Sequence, residues 1–368
     1  MKRNILLNPG PATTTETVKL AQVVPDICPR EAEFGALMEF VSEGLTSFVA
    51  NPKDYTSVLF GGSGTAGVEA VLSSVIGEDE GVLIVNNGAY GARMCQICDA
   101  YGIHYVEFKS SKIEPINLEE LETCIKEHQG FIQYLAVIHN ETTTGLLNDL
   151  DPLAELTRKY GLTFIVDAMS SYAAIPIHMA KQNISYLVAS SNKNIQGMAG
   201  VVFAICNKEK LQELKDKKKR NFYLDLYAQY EYFQKTKQLR FTPPVQTLYA
   251  LKQAIIELQE ETVEGRYERY TDNWETLLEG ITRLGLTYLV AKEHHSHIIT
   301  TISEPDCEGY SFDGMHDYLY ARGYTIYPGK IGENNTFRIA NIGALDRNDI
   351  KEFLECLEKY LIGIKFIK

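Results

Sequence analysis

Residues 162–193 read LTFIVDAMSSYAAIPIHMAKQNISYLVASSNK, and this stretch decides the fold. Two apolar runs of strand length, LTFIVDA and SYLVASS, flank a connection long enough for a helix. Asp167 stands at the end of the first run, and Lys193 follows the second. A buried carboxylate is costly unless it meets a cation or a donor, and reactive groups of parallel sheets gather where the strands end. The pair therefore predicts a polar site at the ends of two buried strands.

Apolar runs of strand length alternate with amphipathic stretches on both sides of this segment. The further predicted strands are residues 57–60, 81–87, 104–108, 134–140 and 200–206. Continuous apolar runs separated by helical stretches are typical of a mostly parallel sheet that is covered on both faces. The predicted fold class is therefore α/β.

The pattern changes after the last of these runs. The periodicity of residues 248–281 predicts one or two long amphipathic helices, and three strand-like runs follow. A closing helix begins after Asp346, which is a suitable N-cap. We predict that residues 16–243 form a large domain and that residues 1–15 and 244–368 form a smaller α+β domain.

Composition and charge exclude several classes of function. The 368 residues carry a formal net charge of −12, which argues against a general nucleic-acid binder because such a protein needs a basic face. The basic run KDKKKR, residues 215–220, is interpreted as a solvated helix end. The first residues lack the apolar core of a signal peptide, and no apolar stretch approaches a membrane span. We therefore expect no nucleic-acid partner and no membrane partner.

The cysteine and histidine positions predict neither disulfides nor a metal site. Seven scattered cysteines are typical of a reducing cytoplasm, so the predicted location is cytoplasmic. Cys95 and Cys98 form a lone CxxC inside a helical stretch, and we interpret them as core residues. His294, His295 and His297 precede an apolar strand-like run, and we expect no metal there.

A glycine-rich loop opens the first helical stretch after residues 57–60. Residues 60–70 read FGGSGTAGVEA and have the glycine spacing of a dinucleotide-binding turn at Gly62, Gly64 and Gly67. The next strand ends in asparagine where that fold requires an acidic residue, and the loop lacks the lysine of a P-loop. What remains is a helix N-terminus with two hydroxyl side chains, which suits a single phosphate group. The alternative is a turn that binds nothing.

A phosphate-binding loop, a strand-end aspartate and a strand-end lysine together match what pyridoxal phosphate requires. Lys193 is a candidate nucleophile toward the aldehyde of this cofactor, and Asp167 is a candidate partner that keeps the pyridine nitrogen protonated. Each residue alone is more often structural, as a turn aspartate or a surface lysine. Their occurrence in this order on one sheet predicts a site for the cofactor.

Motifs along nearly the whole chain carry a family resemblance. They are LLNPGPATTTETVKLA, GGSGTAGVEA, NNGAYGARM, HNETTTG, VDAMSSYAAIP, SSNKNIQG, RFTPPVQTLYAL, IYPGK and FRIANIG. With these motifs the chain resembles the class-V family of fold-type-I pyridoxal-phosphate aminotransferases. The resemblance implies a large domain with a mostly parallel sheet of the seven-stranded type, and a smaller α+β C-terminal domain.

The resemblance also implies roles for the residues around the cofactor. Lys193 is implied to bind the cofactor covalently and to shuttle a proton, and Asp167 is implied to pair with the pyridine nitrogen. Ser63, Gly64 and Thr65, here named the phosphate loop, are implied to hold the phosphate group.

Four more positions match functional positions of the family. Tyr90 is implied to stack on the face of the cofactor, and Thr142 to contact its O3′ side. Thr242 is implied to reach the phosphate group from the partner subunit, which predicts a homodimer with shared active sites. Arg338 is implied to bind the substrate anion, and its planar two-donor fork suits a carboxylate or a phosphonate.

The segment VPDICPREAEFG and the ending IYPGK…TFRIANIG indicate which branch of the family is nearest. They resemble members that act on the small molecules 2-aminoethylphosphonate and pyruvate, which implies a reaction that gives phosphonoacetaldehyde and L-alanine. The main alternative is an aminotransferase for alanine or serine with glyoxylate or pyruvate. Two further alternatives are a class-V lyase or desulfurase, which needs a mobile catalytic cysteine, and a non-catalytic homologue that only binds the cofactor.

Overall fold

The computed structural model describes residues 4–331 and 334–368. The strands of this part of the chain are β1 Ile5–Leu6, β2 Tyr55–Gly61, β3 Gly81–Asn86, β4 His104–Lys109, β5 Ile132–Ile138, β6 Asn140–Glu141, β7 Leu146–Leu147, β8 Thr163–Asp167, β9 Ile184–Ser190, β10 Val201–Asn207, β11 Ile299–Ser303, β12 Tyr324–Thr325, β13 Tyr327–Ile331 and β14 Asn334–Ala340. The α-helices are α1 Glu16–Leu20, α2 Ala32–Ser47, α3 Gly64–Val75, α4 Ala89–Tyr101, α5 Leu118–Glu127, α6 Leu150–Tyr160, α7 Lys208–Gln212, α8 Leu226–Thr236, α9 Val245–Glu261, α10 Val263–Arg283, α11 Phe312–Tyr320 and α12 Arg347–Gly363.

A seven-stranded sheet forms the centre of the molecule, in the order β2-β10-β9-β8-β5-β3-β4. Its neighbouring strands are parallel, except that β10 runs antiparallel to both β2 and β9. The strands predicted between residues 57 and 206 form this sheet. The predicted α/β fold class with a mostly parallel sheet is therefore confirmed.

Helices cover both faces of this sheet, which is why its inner strands are apolar at consecutive positions. Leu83 and Val85 of β3 pack in one hydrophobic cluster with residues of α2, α5, α6 and α9. Val82 and Ile84 of the same strand pack in a second cluster with residues of α3, α4 and α8. Alternate side chains of a strand point to opposite faces, so each face has its own core.

A second, three-stranded antiparallel sheet follows later in the chain, in the order β11-β14-β13. Phe337 of its central strand is fully buried in a separate cluster with residues of α10, α11 and α12. The chain start joins this region because β1 pairs in parallel with β12. Helix α9 lies beyond the predicted domain boundary at residues 243 and 244, yet its Leu251 packs in a cluster of the large sheet. The boundary itself stays a prediction.

The long amphipathic stretch predicted over residues 248–281 folds as two helices, α9 and α10. Thr262 separates them with a backbone φ of 66°, and its side chain accepts a hydrogen bond from the amide of Gly265. Asp346 caps the closing helix α12 as predicted, in a reciprocal capping box with Asp349.

The basic run at residues 215–220 is mostly exposed, as predicted, but it is not a helix end, because it lies beyond the end of α7; three of its four lysines form ion pairs. The ion pairs join Lys217 to Glu80, Lys218 to Glu78 and Lys219 to Asp225. Two of these acids, Glu78 and Glu80, belong to the turn before β3, so their ion pairs connect the basic run to that turn.

The structure also bears on the predicted burial of Cys95 and Cys98 and on whether any helix could span a bilayer. Cys95 and Cys98 are buried on α4, as predicted, and burial raises the pKa of the Cys95 thiol to about 11. Within residues 4–331 and 334–368, every helix is too short or too polar to cross a bilayer.

We predict that Gly67 determines how closely α3 approaches the sheet. A methyl group at this position would overlap Val202 and would lie 2.9 Å from Val188 Cγ1. Gly67→Ala should therefore lower the free energy of unfolding by about 1–3 kcal/mol through overpacking, measured by urea denaturation.

Gly363, at the end of α12, is the matched control because a methyl group there meets nothing within 4 Å. Gly363→Ala should leave stability unchanged or raise it by up to about 1 kcal/mol, the helix preference of alanine. Equal effects of the two substitutions would contradict the tight packing of α3.

Candidate active site

Asp167 and Lys193 meet at one edge of the large sheet. Asp167 is the last residue of β8, and Lys193 follows the end of β9. These strands are parallel neighbours, so their carboxyl ends lie side by side. A cavity of about 180 Å³ opens there, and its walls are formed by Gly64, Thr65, Val68, Tyr90, Arg93, Met94, Asp167, Met169 and Lys193.

Asp167 is a buried carboxylate whose negative charge is only partly compensated by neighbouring cations. Its Oδ1 accepts a hydrogen bond of 2.8 Å from the amide of Met169. Burial raises the pKa of Asp167 to about 6, and the nearby negative charge of Glu141 acts in the same direction. The positive charges of Lys193 and Arg93 oppose this effect only in part. A cation placed in the cavity next to this carboxylate would remove the penalty of its burial.

The Lys193 amine is held between this cavity and the N-terminal segment. Its Nζ donates a hydrogen bond to the carbonyl of Pro9, and a side chain at Gly10 would come within 2.6 Å of that nitrogen. Gly10 also has a φ of 137°, which favours glycine. Burial lowers the pKa of Lys193 to about 8, so a sizeable fraction of the amine is neutral near that pH.

The phosphate loop lies at the start of α3. Ser63 is the N-cap, and in the part of the chain that the structure describes its side chain makes no capping hydrogen bond. The first turn of α3 contains no acidic residue. The first amides of a helix have no intrahelical acceptor, and the helix dipole adds positive potential. Gly64 and Thr65 line the cavity, so the start of α3 offers an anion site there, and Ser63 precedes these two residues without forming a cavity wall.

Tyr90 enters the cavity from the first turn of α4, and Arg93 lies one turn further along the same helix face. The Arg93 guanidinium is 5.0 Å from the centre of the Tyr90 ring. Sequence reasoning did not single out Arg93. It stands inside the motif NNGAYGARM, three residues after Tyr90, and this helical spacing was the signal that places both side chains on one face.

Thr142 does not form a wall of this cavity, but it follows Glu141, whose carboxylate accepts a hydrogen bond from the amide of the cavity residue Tyr90. It is buried, and its hydroxyl oxygen has no hydrogen-bond partner among the described residues. A buried hydroxyl without a partner is costly, so a polar group of a bound molecule would satisfy it. Sequence reasoning also missed Glu141, the preceding residue, which is fully buried. Burial raises the pKa of Glu141 against the opposing effect of its hydrogen bonds.

Arg338 approaches the same region from β14 of the small sheet. Its guanidinium donates to the carbonyl of Pro328 through Nη2 at 3.0 Å, and to the carbonyl of Thr142 through Nη1 at 3.2 Å. It also lies 5.3 Å from the ring centre of Tyr327. Its positive charge contributes to the lowered pKa of Lys193, so the two groups are within electrostatic reach.

Of the predicted site residues, Thr242 is the one that lines a different cavity, whereas Gly64, Thr65, Tyr90, Asp167 and Lys193 form the walls of this one. It is exposed and lines a separate, very small cavity together with Gly61, Tyr223 and Phe241. Its predicted role requires a second subunit, so this geometry leaves that role a prediction.

The histidine cluster has a packing role. The ring of His297 stacks on Trp274 at 3.9 Å and on Tyr267 at 5.8 Å between centres. Burial lowers the pKa of His295 to about 3, so this imidazole is neutral. No group of three or more histidine, cysteine or acidic side chains that could hold a metal ion occurs among the described residues.

The residues around the cavity fit pyridoxal phosphate. The phosphate loop provides an anion cradle, Lys193 provides an amine, and Asp167 provides a buried carboxylate that lacks a strong cationic partner. The unpaired hydroxyl of Thr142 adds a position for a polar substituent. The buried carboxylate and the buried hydroxyl are energetically unfavourable without a ligand. All four features are complementary to an aldehyde-bearing pyridinium phosphate.

Comparisons with known proteins agree with this chemistry. The model of the family described as "Aminotransferase class-V" matches residues 17–323. A 2-aminoethylphosphonate–pyruvate transaminase of Salmonella schwarzengrund is 39% identical over 364 residues, which cover 98% of this chain and 98% of that protein.

Two further relatives extend the comparison. A bifunctional phosphonoacetaldehyde hydrolase/aminoethylphosphonate transaminase of Clostridioides difficile is 40% identical over 97% of this chain, and the match spans only 56% of that longer protein. The solved structure of an alanine–glyoxylate aminotransferase from Nostoc sp. superposes with a TM-score of 0.90 at 25% identity, over 98% of this chain and 96% of that chain. The chain therefore belongs to the class-V aminotransferase family.

Proposed function

We propose that this protein is a pyridoxal-phosphate-dependent transaminase that converts 2-aminoethylphosphonate and pyruvate into phosphonoacetaldehyde and L-alanine. The observation that carries the reaction type is the meeting of Asp167 and Lys193 in one cavity above the phosphate loop. The full-length similarity to the Salmonella transaminase supports the choice of substrates. A second candidate is an aminotransferase for alanine or serine with glyoxylate or pyruvate, which the likeness to the Nostoc structure supports.

The polar residues of the cavity have separate roles in the reaction. When bound, pyridoxal phosphate supplies an aldehyde for the amino group and an electron-poor ring that takes up the electrons released at the substrate carbon. Asp167 holds a proton at the pyridine nitrogen, since its buried carboxylate is stabilised by a positive charge there. Lys193 moves a proton at the substrate carbon, and its lowered pKa allows its amine to accept and release that proton near neutral pH.

The phosphate loop and Tyr90 orient the ring between these two groups. The amides at the start of α3 bind the phosphate group, while the ring of Tyr90 forms a wall of the same cavity. Holding the reacting groups in one geometry lowers the barrier by removing their freedom of motion in advance.

Arg338 is proposed to bind the anionic end of each substrate in turn. A transaminase takes an amino donor and then an acceptor at the same site, so one cation must suit a phosphonate and a carboxylate. A guanidinium can donate two parallel hydrogen bonds to either group. In the structure its donors are taken by the carbonyls of Pro328 and Thr142, which an incoming anion would replace in part.

The proposal includes a homodimer with active sites shared between subunits. Phe222 is 75% exposed, and its ring packs against Phe241 next to Thr242. An exposed aromatic patch beside a residue that is predicted to cross into the neighbouring site is consistent with a subunit contact. A cytoplasmic location, inferred from seven unpaired cysteines, and a domain boundary near residue 243 belong to the same proposal.

We predict that Lys193 carries the cofactor. Borohydride reduction of the yellow protein should remove its visible absorbance and leave the cofactor mass on the peptide that contains Lys193, as measured by mass spectrometry. Lys193→Ala should lower kcat by a factor of at least about 100, the scale of lost acid–base catalysis. Lys208→Ala is the control, because Lys208 donates to carbonyls of residues 52 and 53 far from the cavity. A label on another lysine would refute the assignment.

We predict that Arg338 selects the phosphonate donor. Wild-type protein should prefer 2-aminoethylphosphonate over serine, alanine analogues and β-alanine when pyruvate is the acceptor. Arg338→Lys keeps the charge and loses the two-donor fork, so kcat/KM for 2-aminoethylphosphonate should fall about 5- to 150-fold, equivalent to about 1–3 kcal/mol. Pyruvate should bind more weakly as well, since it uses the same site.

The control for this substitution is Arg347→Lys, at the exposed start of α12, which should leave both substrates unaffected. A wild-type protein that uses serine with glyoxylate far better than the phosphonate with pyruvate would favour the second candidate function.

We predict that Thr242 acts across the subunit interface. Thr242→Glu places a negative charge beside the phosphate group, and should inactivate the homodimer, as should Lys193→Ala. Co-expression of the two variants should restore about a quarter of wild-type activity, because each hybrid dimer keeps one intact site. If Thr242 acted within its own chain, both sites of a hybrid would carry a lesion and no activity would return.

A further inference from the structure

A buried carboxylate that the proposed reaction does not use lies beside the cavity. Glu141 has no exposed surface and belongs to β6, which pairs with β7 in a short hairpin. A fully buried acidic side chain is rare unless its oxygens are bonded, so its partners indicate what it is there to hold.

The carboxylate of Glu141 joins two segments that are distant in the chain. One oxygen, Oε1, accepts hydrogen bonds from the amide of Thr143 at 3.0 Å and from the hydroxyl of the same residue. The other oxygen, Oε2, accepts from the amide of Tyr90 at 3.4 Å. One side chain therefore ties the loop at residues 140–145 to the first turn of α4.

The backbone before α4 leaves space for this side chain. A methyl group at Gly88 would come within 2.5 Å of Glu141 Cγ and Oε2, and these atoms and Cδ are its nearest neighbours. The φ of Gly88 is 171°, an extended value that any residue adopts. Glycine is therefore required at position 88 by the approach of Glu141 rather than by the backbone.

The loop that Glu141 anchors also contacts the small sheet. The carbonyl of Thr142 accepts from Arg338, and the carbonyl of Thr143 accepts from the hydroxyl of Thr301 on β11. The charges of Glu141 and Arg338 attract each other, which opposes the effect of burial on the pKa of each group. Glu141 thus sits between the aromatic wall of the cavity and the arginine.

We infer that Glu141 is a positioning residue, which holds Tyr90 against the cofactor and Arg338 in place for the substrate anion. This inference rests on the proposed function, because it gives Tyr90 and Arg338 the roles described there. Glu141 itself is not one of the residues that form the cavity walls. Its effect passes through the helix start on one side and through the carbonyl of Thr142 on the other.

Loss of the carboxylate should loosen both contacts at once. Without it, the amides of Thr143 and Tyr90 lose a charged acceptor, and Arg338 loses a nearby negative charge. Cofactor affinity should fall because the wall that carries Tyr90 is less ordered, and substrate affinity should fall because Arg338 is less well placed. The groups that perform the proton transfers, Lys193 and Asp167, keep their own contacts, so kcat should change less than KM.

The test compares Glu141→Ala, Glu141→Gln, Gly88→Ala and the double variant Gly88→Ala/Glu141→Ala in the full-length chain. The measurements are the Kd of pyridoxal phosphate by absorbance titration, the visible circular dichroism of the bound cofactor, and KM and kcat with 2-aminoethylphosphonate. We expect Glu141→Ala and Glu141→Gln to raise Kd and KM about tenfold, the scale of one lost charged hydrogen bond, and to change kcat less than about threefold.

The double variant distinguishes a positioning role of Glu141 from nonspecific destabilisation of the fold. Gly88→Ala should reproduce the effect of Glu141→Ala, since its methyl group displaces the carboxylate. In the double variant the methyl group has space, so the loss should be no larger than that of Glu141→Ala alone. Should Glu141→Ala fail to fold, the isosteric glutamine variant and Gly88→Ala still decide the question.

Glu80→Gln is the matched control, because Glu80 is a partly buried carboxylate bonded to Tyr134 and Lys217 at the opposite end of β3. It should lower the melting temperature without changing Kd or KM. Unchanged Kd and KM in the Glu141 variants, or additive losses in the double variant, would overturn the inference. A wild type that binds the cofactor but does not use 2-aminoethylphosphonate would refute the proposed function, while the Kd measurements would still decide the role of Glu141.

Discussion

The burial of Asp167 is the constraint on which the rest of the site depends. A carboxylate at the end of a central strand loses most of its water, and burial raises its pKa to about 6 although the amide of Met169 donates to it. The fold keeps this group where a charged ligand can approach it and places the amine of Lys193 at the same edge of the sheet. A cation that binds next to Asp167 therefore offsets the free-energy cost of burying its carboxylate. This explains why a charged side chain occupies an otherwise apolar strand.

Close backbone approaches then determine the shape of the cavity. Gly67 lets α3 lie directly on β9 and β10, which brings the phosphate loop to the strand ends. Gly10 lets the N-terminal segment pass over the amine of Lys193, and Gly88 makes room for the carboxylate of Glu141. At each position a single added methyl group would come within 3 Å of a packed side chain, and at Gly10 that side chain is Lys193 of the cavity. The geometry therefore depends on the absence of side chains as much as on the charged residues.

Sequence patterns predicted the central sheet well because most of its strands are buried on both faces and appear as continuous apolar runs; the edge strand β4 is the exception. They did not predict the ion pairs of the basic run at residues 215–220, since Glu78 and Glu80 lie far away in the chain and Asp225 lies several residues further on. They also missed Arg93 and Glu141, although both stand inside motifs that were recognised. The importance of these two residues comes from contacts between α4 and the loop at residues 140–145, which no local pattern encodes.

The sequence by itself determined the α/β class, the strand order along the chain and the pair Asp167 and Lys193, because burial and strand ends leave a local signature in residue type. It also carried the family, through motifs spread over nearly its full length. Only the tertiary structure decided which charges face one another across the cavity, that Arg338 bonds the carbonyl of Thr142, and that Thr242 lies outside the cavity of its own chain. The physical reason is that electrostatic interactions depend on distances in space, and those are set by packing between segments that are remote in sequence.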